Sequence, residues 1–129
     1  MTRYVVLLDG SEASFEALEH ALEEADEVIG VYLIDCRAFK GLNEDMARAL
    51  EEFMRQEAEL IRETVERRGG EFEIVRGEGP EAVMEYAREV GADAVVVGVG
   101  HIPGFEDITF RRGIEGHVKD VPVILVPSR

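Results

Sequence analysis

The sequence predicts an α/β fold: a parallel sheet with helices on both faces. Three observations point to it. Short β-branched and leucine runs alternate with segments whose apolar residues recur every three or four positions. One of these runs, "DAVVVG" ending at Gly98, is apolar at successive positions, as a strand buried on both faces requires. Glycine, proline and small polar residues punctuate the joins between segments. Strands that alternate with helices imply right-handed crossovers and a parallel sheet.

The elements follow in order. "RYVVLL", Arg3 to Leu8, is bounded by Asp9-Gly10 and reads as a buried first strand. Ser11 is a good N-cap for "EASFEALEHALEEAD", whose predicted core stripe is Phe15, Leu18, Leu22 and Ala25. "VIGVYLI", Val28 to Ile34, is the second strand. The polar connection "DCRAFKGLN" leads to a long helix from about Glu44 to Arg68. Its stripe is Leu50, Met54, Ala58, Ile61 and Val65, and Gly69-Gly70 ends it. Glu44 and Asp45 complement the helix dipole in its first turn.

"EFEIVR" alternates Phe72 and Ile74 on one face, which predicts an edge strand. Gly79-Pro80 opens the next helix, with Val83, Ala87 and Val90 as its stripe and Gly91 as its stop. The fourth strand ends at Gly98. A further helix begins near Arg112-Gly113, with Ile114 and Val118 as core contacts, and "VPVILVP" is the fifth strand.

The whole chain of 129 residues is expected to form one domain. Its 46% hydrophobic and 33% charged residues suit a soluble globular protein, and no run is long enough to span a membrane. The N-terminus lacks a small-residue cleavage site and reads as a strand, not a signal peptide. A single cysteine, Cys36, excludes an internal disulfide. The cytosol is the expected compartment. A net charge of −14 argues against nucleic acid and against anionic membrane surfaces as partners. It leaves room for a small anion held by local backbone donors.

In such sheets, ligands bind beyond the carboxyl ends of strands where the winding reverses. Two strands end in candidate chemistry. The first ends in Asp9-Gly10-Ser11. An acid there can accept hydrogen bonds from a ribose hydroxyl or a base amino group; equally, Asp-Gly-Ser is a common strand-to-helix turn. The second is "GVGHIPGFEDITFRRGIEG", Gly98 to Gly116, with five glycines in 19 residues. Glycines let backbone approach a phosphate, and a following helix N-terminus supplies N–H donors; they also mark any open loop. Arg111 and Arg112 can pair with phosphates, or with Glu106 and Asp107.

No catalytic constellation is legible. His101 and His117 have no acid or nucleophile at a recognisable spacing. His20, beside Glu19 and Glu23, reads as exposed, and Cys36 as a partly buried thiol. Neither a Walker loop, a metal-spaced cluster nor the dinucleotide fingerprint is present.

Taken together, "YVVLLDGSEASFEALEHAL", "GEGPEAVMEYAREVGADAVVVG" and "VPVILVP" resemble the universal stress protein family over nearly the whole length. The resemblance implies a three-layer sandwich with a five-stranded parallel sheet ordered 3-2-1-4-5, of the adenine nucleotide alpha hydrolase-like kind. Asp9 would then lie close to Gly98. It also implies a homodimer formed through the last strands. Many members bind ATP, with a loop of the form Gly-x2-Gly-x9-Gly-Ser/Thr. Here Gly98 matches the first glycine, and His101 stands at the second. Gly113 matches the third with two extra residues, and Ile114 replaces the hydroxyl residue. Thr109 is another hydroxyl of the loop, though the spacing does not require it.

The function this implies is adenine nucleotide binding, ATP with Mg foremost, in a stress-response or regulatory role. Asp9 contacts the adenosine portion, with Gly10 and Ser11 beside it. The Val97-Gly98 backbone lines base or ribose. Gly100, Gly104, Gly113 and Ile114 border the phosphates, with Arg111 and Arg112 assisting. With no catalytic base, any hydrolysis is expected to be slow and incidental. The alternative is a dimeric interaction module of the same fold that binds no nucleotide, favoured by His101 and Ile114. An adenylate-forming enzyme is the third reading, and the Ser-Gly-Gly-type loop it needs after strand one is Asp9-Gly10-Ser11-Glu12 instead.

Overall fold

The computed structural model describes residues 1–98 and 121–127. Five strands form one sheet: β1 (Arg3–Leu7), β2 (Glu27–Asp35), β3 (Glu71–Gly77), β4 (Ala94–Gly98) and β5 (Val123–Val126). Their order is β3-β2-β1-β4-β5, and every neighbouring pair is parallel. Among the described residues, three α-helices connect them: α1 (Glu12–Glu24), α2 (Glu44–Arg67) and α3 (Gly79–Glu89). The expected helix near Arg112-Gly113, with Ile114 and Val118, lies outside the described residues.

Strand alternation divides the core into two layers. Val6, Leu8, Tyr32, Ile34 and Val96 pack beneath α1 and α2. Val5, Leu7, Val31, Val95 and Val97 pack beneath α3. The chain steps one way through β1, β2 and β3, then returns across the sheet to β4. Crossovers of one hand put helices on opposite faces when that direction reverses, which is where α1–α2 and α3 are found. The reversal lies between β1 and β4.

Both of these strands are buried throughout their middles: Val5, Val6, Leu7 and Leu8 are at most 1% exposed, and Val95, Val96 and Val97 at most 2%. Each such side chain contributes about 1.5–3 kcal/mol. The alternating β3 sits at an edge, as its pattern predicts.

The buried face of α1 differs from the predicted stripe. Ser14, Ala17, Leu18 and Ala21 face the sheet, while Phe15, Leu22 and Ala25 are only partly buried at the margin. Small side chains let the helix axis approach β4 closely, and the larger ones wedge alongside. The Ser14 hydroxyl, fully buried, donates to the Ser11 carbonyl at 2.8 Å, so its burial leaves no donor unsatisfied. In α3 the buried set is Gly79, Pro80, Val83, Met84 and Ala87, and Val90 lies at the edge of the core. For α2, the predicted Ala58, Ile61 and Val65 are buried and Met54 packs at the margin. The connection after β2 is not wholly irregular: Cys36–Phe39 form a short 3-10 turn capped by Asp35.

Candidate functional site

The carboxyl ends of β1 and β4 lie side by side. Their register pairs Val6 with Val96. Continued by two residues, it sets Leu8 level with Gly98, and Asp9 one step beyond. Leu8 is still held in the sheet by its N–H, which donates to the Val31 carbonyl at 2.8 Å. The chain then turns sharply. Gly10 adopts φ +86°, a left-handed conformation that glycine accepts at low cost. The Asp9 Oδ1 accepts the Ser11 N–H at 2.9 Å, and the Ser11 hydroxyl oxygen accepts the Ser14 N–H at 3.1 Å. Asp9 and Ser11 thus build the turn and cap α1, as the turn reading of this tripeptide expects.

That turn also sets a half-buried carboxylate just past the carboxyl end of β1. On the neighbouring strand β4, Val97 and Gly98 are both buried. Beside the carboxylate is the N-terminus of α1, with its positive dipole end. Tyr32 lies nearby on the α2 side. Its hydroxyl donates to Glu57 Oε1 at 2.8 Å, and burial, then Glu57, then the charge of Asp9 push its ionisation well above the ordinary phenol range. The Tyr32 hydroxyl therefore stays a neutral donor. Chemically, these strand ends offer an acceptor for hydroxyl or amino donors, strand-end backbone, and helix N–H groups for an anion.

The structure brings together Asp9, Gly10, Ser11, Val97 and Gly98 of the predicted site residues. Gly100, Gly104, Arg111, Arg112, Gly113 and Ile114 lie outside the described residues, as do His101, Thr109 and His117. His20 is partly exposed on α1 with Glu19 and Glu23 beside it, as expected, and its Nε2 stands 3.6 Å from Glu24, one helical turn on. Cys36 is partly buried, as expected. Among the described residues no three His, Cys, Asp or Glu side chains are grouped to hold a metal. Nor is any described helix long and apolar enough to cross a membrane.

Sequence reasoning missed Asp35, at the carboxyl end of β2. Its carboxylate accepts from Arg37 Nη2 at 2.6 Å and Arg37 N at 3.0 Å, and its Oδ1 accepts from the Gly79 N–H at 3.2 Å. Arg37's side-chain hydrogen bond, helped by the two backbone donors, holds this carboxyl below the usual range against the opposing effect of burial. The group ties the start of α3 to the end of β2. The signal was present: an acid closing a buried strand, as at Asp9.

A model of the universal stress protein family matches residues 1–127. This chain belongs to that family. Universal stress protein MJ0531 of Methanocaldococcus jannaschii is 28% identical over 137 residues, covering 96% of this chain and 81% of the relative. Among solved structures, hypothetical protein MJ0577 superposes with a TM-score of 0.69 at 25% identity, covering 99% of this chain and 96% of that one. The universal stress protein from Archaeoglobus fulgidus in complex with dAMP gives 0.60 at 24% identity, covering 97% of each chain. The architecture is the family's three-layer sandwich of the adenine nucleotide alpha hydrolase-like fold, ordered 3-2-1-4-5.

Proposed function

We propose that this universal stress protein binds an adenine nucleotide, ATP with Mg foremost, between the ends of β1 and β4, in a stress-response or regulatory role. The observation that carries the reading is the pairing of β1 with β4, which sets Asp9 beside Gly98 at the reversal of winding. The residues present suit such a ligand: the half-buried carboxylate matches ribose hydroxyls or the adenine amino group, and buried Val97-Gly98 backbone allows close approach. The dAMP bound to the A. fulgidus protein of the same fold supports the class of ligand.

Asp9 orients the adenosine, with Gly10, Ser11 and the start of α1 beside it. Gly100, Gly104, Gly113 and Ile114, with Arg111 and Arg112, border the phosphates. A divalent cation offsets the repulsion between the phosphates and a chain of net charge −14. Hydrolysis, if any, is incidental to binding. The chain acts in the cytosol as one domain, 1–129, and pairs with a second copy through β5. That strand's edge carries Leu125 exposed and Val123, Ile124 and Val126 only half covered. An open apolar edge of this kind invites a partner strand.

Calorimetric titration with Mg-ATP tests the reading. A saturable heat is expected, lost in Gly98→Arg, where a long side chain fills the crevice. Heat no greater than that of Gly98→Arg at millimolar nucleotide would overturn it and favour the interaction module, for which His101 and Ile114 at motif positions speak. Adenine absorbance released from the freshly purified protein on heating is the corresponding qualitative result.

A further inference from the structure

A pocket of about 470 Å³ opens on the α2 side of the sheet. Phe39 contributes from the turn after β2. Arg48, Glu51, Glu52 and Arg55 come from α2, and Arg76 from β3. Because β3 lies two strands from β1, this pocket is roughly 12 Å across the sheet from the junction of β1 and β4. Its lining gathers three guanidiniums and two carboxylates on a chain of net charge −14, with Asp45 paired to Arg48 at the margin.

Each arginine is ion-paired, yet N–H donors remain that this pairing does not use. Glu51 Oε2 accepts from Arg55 Nη2 at 2.9 Å and from Arg55 Nε at 3.1 Å; its Oε1 accepts from Arg76 Nε at 3.1 Å. One carboxylate thus orients two arginines from different elements. Among the described residues, Arg76 keeps both terminal nitrogens without a hydrogen-bond acceptor, and Arg55 keeps Nη1. Arg48 Nη1 stands 3.9 Å from Asp45 Oδ1, beyond hydrogen-bond reach. Beside these donors, the Arg76 guanidinium lies 5.8 Å from the centroid of the Phe39 ring. Donors from three side chains suit the three terminal oxygens of a phosphate better than a flat carboxylate, and guanidinium is the usual phosphate partner. The adjoining ring suits a flat apolar group.

We propose that this pocket binds the phosphate of a small aromatic phosphomonoester, with its ring against Phe39. The proposal is independent of nucleotide binding at the β1–β4 crevice. It is tested by calorimetric titration of the full chain with phenyl phosphate, inorganic phosphate and benzoate. Phenyl phosphate should bind most tightly, and Arg48→Met and Arg76→Met should each weaken it by about tenfold. Phe39→Leu should bring phenyl phosphate down to the affinity of inorganic phosphate and leave the latter unchanged. Gly98→Arg should retain phenyl phosphate binding. Circular dichroism confirms the fold of each variant, and the exposed Arg48 gives a variant safe for folding should Arg76→Met fail. Absence of heat with phenyl phosphate at millimolar concentration overturns the proposal. So does undiminished binding in Arg48→Met, loss of binding in Gly98→Arg, or benzoate binding as tightly as phenyl phosphate.

Discussion

At the residue scale, Asp9 combines two tasks that substitution can separate. Its carboxylate accepts the Ser11 N–H, and in the proposed complex it accepts from adenosine. Asn at this position keeps an oxygen acceptor for the turn and loses the charge. Asp9→Asn is therefore expected to weaken Mg-ATP with little change in unfolding midpoint. Asp9→Ala should lower affinity roughly 10- to 150-fold and also destabilise by about 1 kcal/mol. Calorimetry and urea unfolding on the same samples check both. Ser11→Ala removes the cap that accepts the Ser14 N–H, and should cost about 1 kcal/mol in urea. For Asp35 the sign follows from its depressed ionisation, caused first by Arg37. Its stabilising effect is present above the unfolded carboxylate value, about 3.9, and is lost as pH falls through the lower folded value. Wild type should lose stability faster than Asp35→Asn as pH drops below about 4, read from thermal midpoints across an acid series.

At the element scale, close approach between layers decides how the site is held. Gly30 in β2 faces α2. A Cβ added there would stand 2.8 Å from the Leu8 Cδ1 and 3.2–3.3 Å from the Val65 methyls. All three groups are core, and Leu8 immediately precedes Asp9. Gly30→Ala is expected to cost about 1–3 kcal/mol through overpacking and to disturb the crevice as well, seen as a lower melting temperature with a weaker nucleotide heat. Ala17 and Ala21 do the same for α1: both are 0% exposed beneath a helix that packs on β4. This is why the predicted stripe was displaced. A period of three to four residues identifies the helix, but which arc faces the sheet depends on the space between them, and here the smaller arc fits.

At the scale of the whole molecule, 28 acidic against 14 basic residues produce a field that opposes compaction. Screening relaxes it: the Debye length falls from about 30 Å at 0.01 M to about 3 Å at 1 M ionic strength. The melting temperature is therefore expected to rise with added NaCl, despite surface ion pairs such as Arg3–Glu27 and Arg62–Glu59, whose individual worth is small. A scan from low to high NaCl checks it; a fall would mean that local pairs outweigh net repulsion. The proposed pairing through β5 is an assembly property of the same scale. Leu125→Lys on the open edge should shift the protein to monomer in sedimentation velocity, with Mg-ATP binding by each chain retained.

By itself the sequence determined the order of the described elements, the parallel architecture, the edge position of β3 and the turn chemistry of Asp9-Gly10-Ser11. These depend on local spacing, on glycine and proline, and on runs apolar at every position or at alternate ones. It also marked Asp9 and Gly98 as strand ends, which is the part of the candidate site that residue order alone makes legible. Tertiary structure alone decided that α1 buries Ser14, Ala17 and Ala21 in preference to Phe15 and Leu22, because the choice depends on the gap between layers. It alone joined Asp35 to Gly79, 44 residues apart, and Glu51 to Arg76, 25 apart. Such contacts form between side chains that only a completed sheet carries to one end, and no spacing along the chain encodes them.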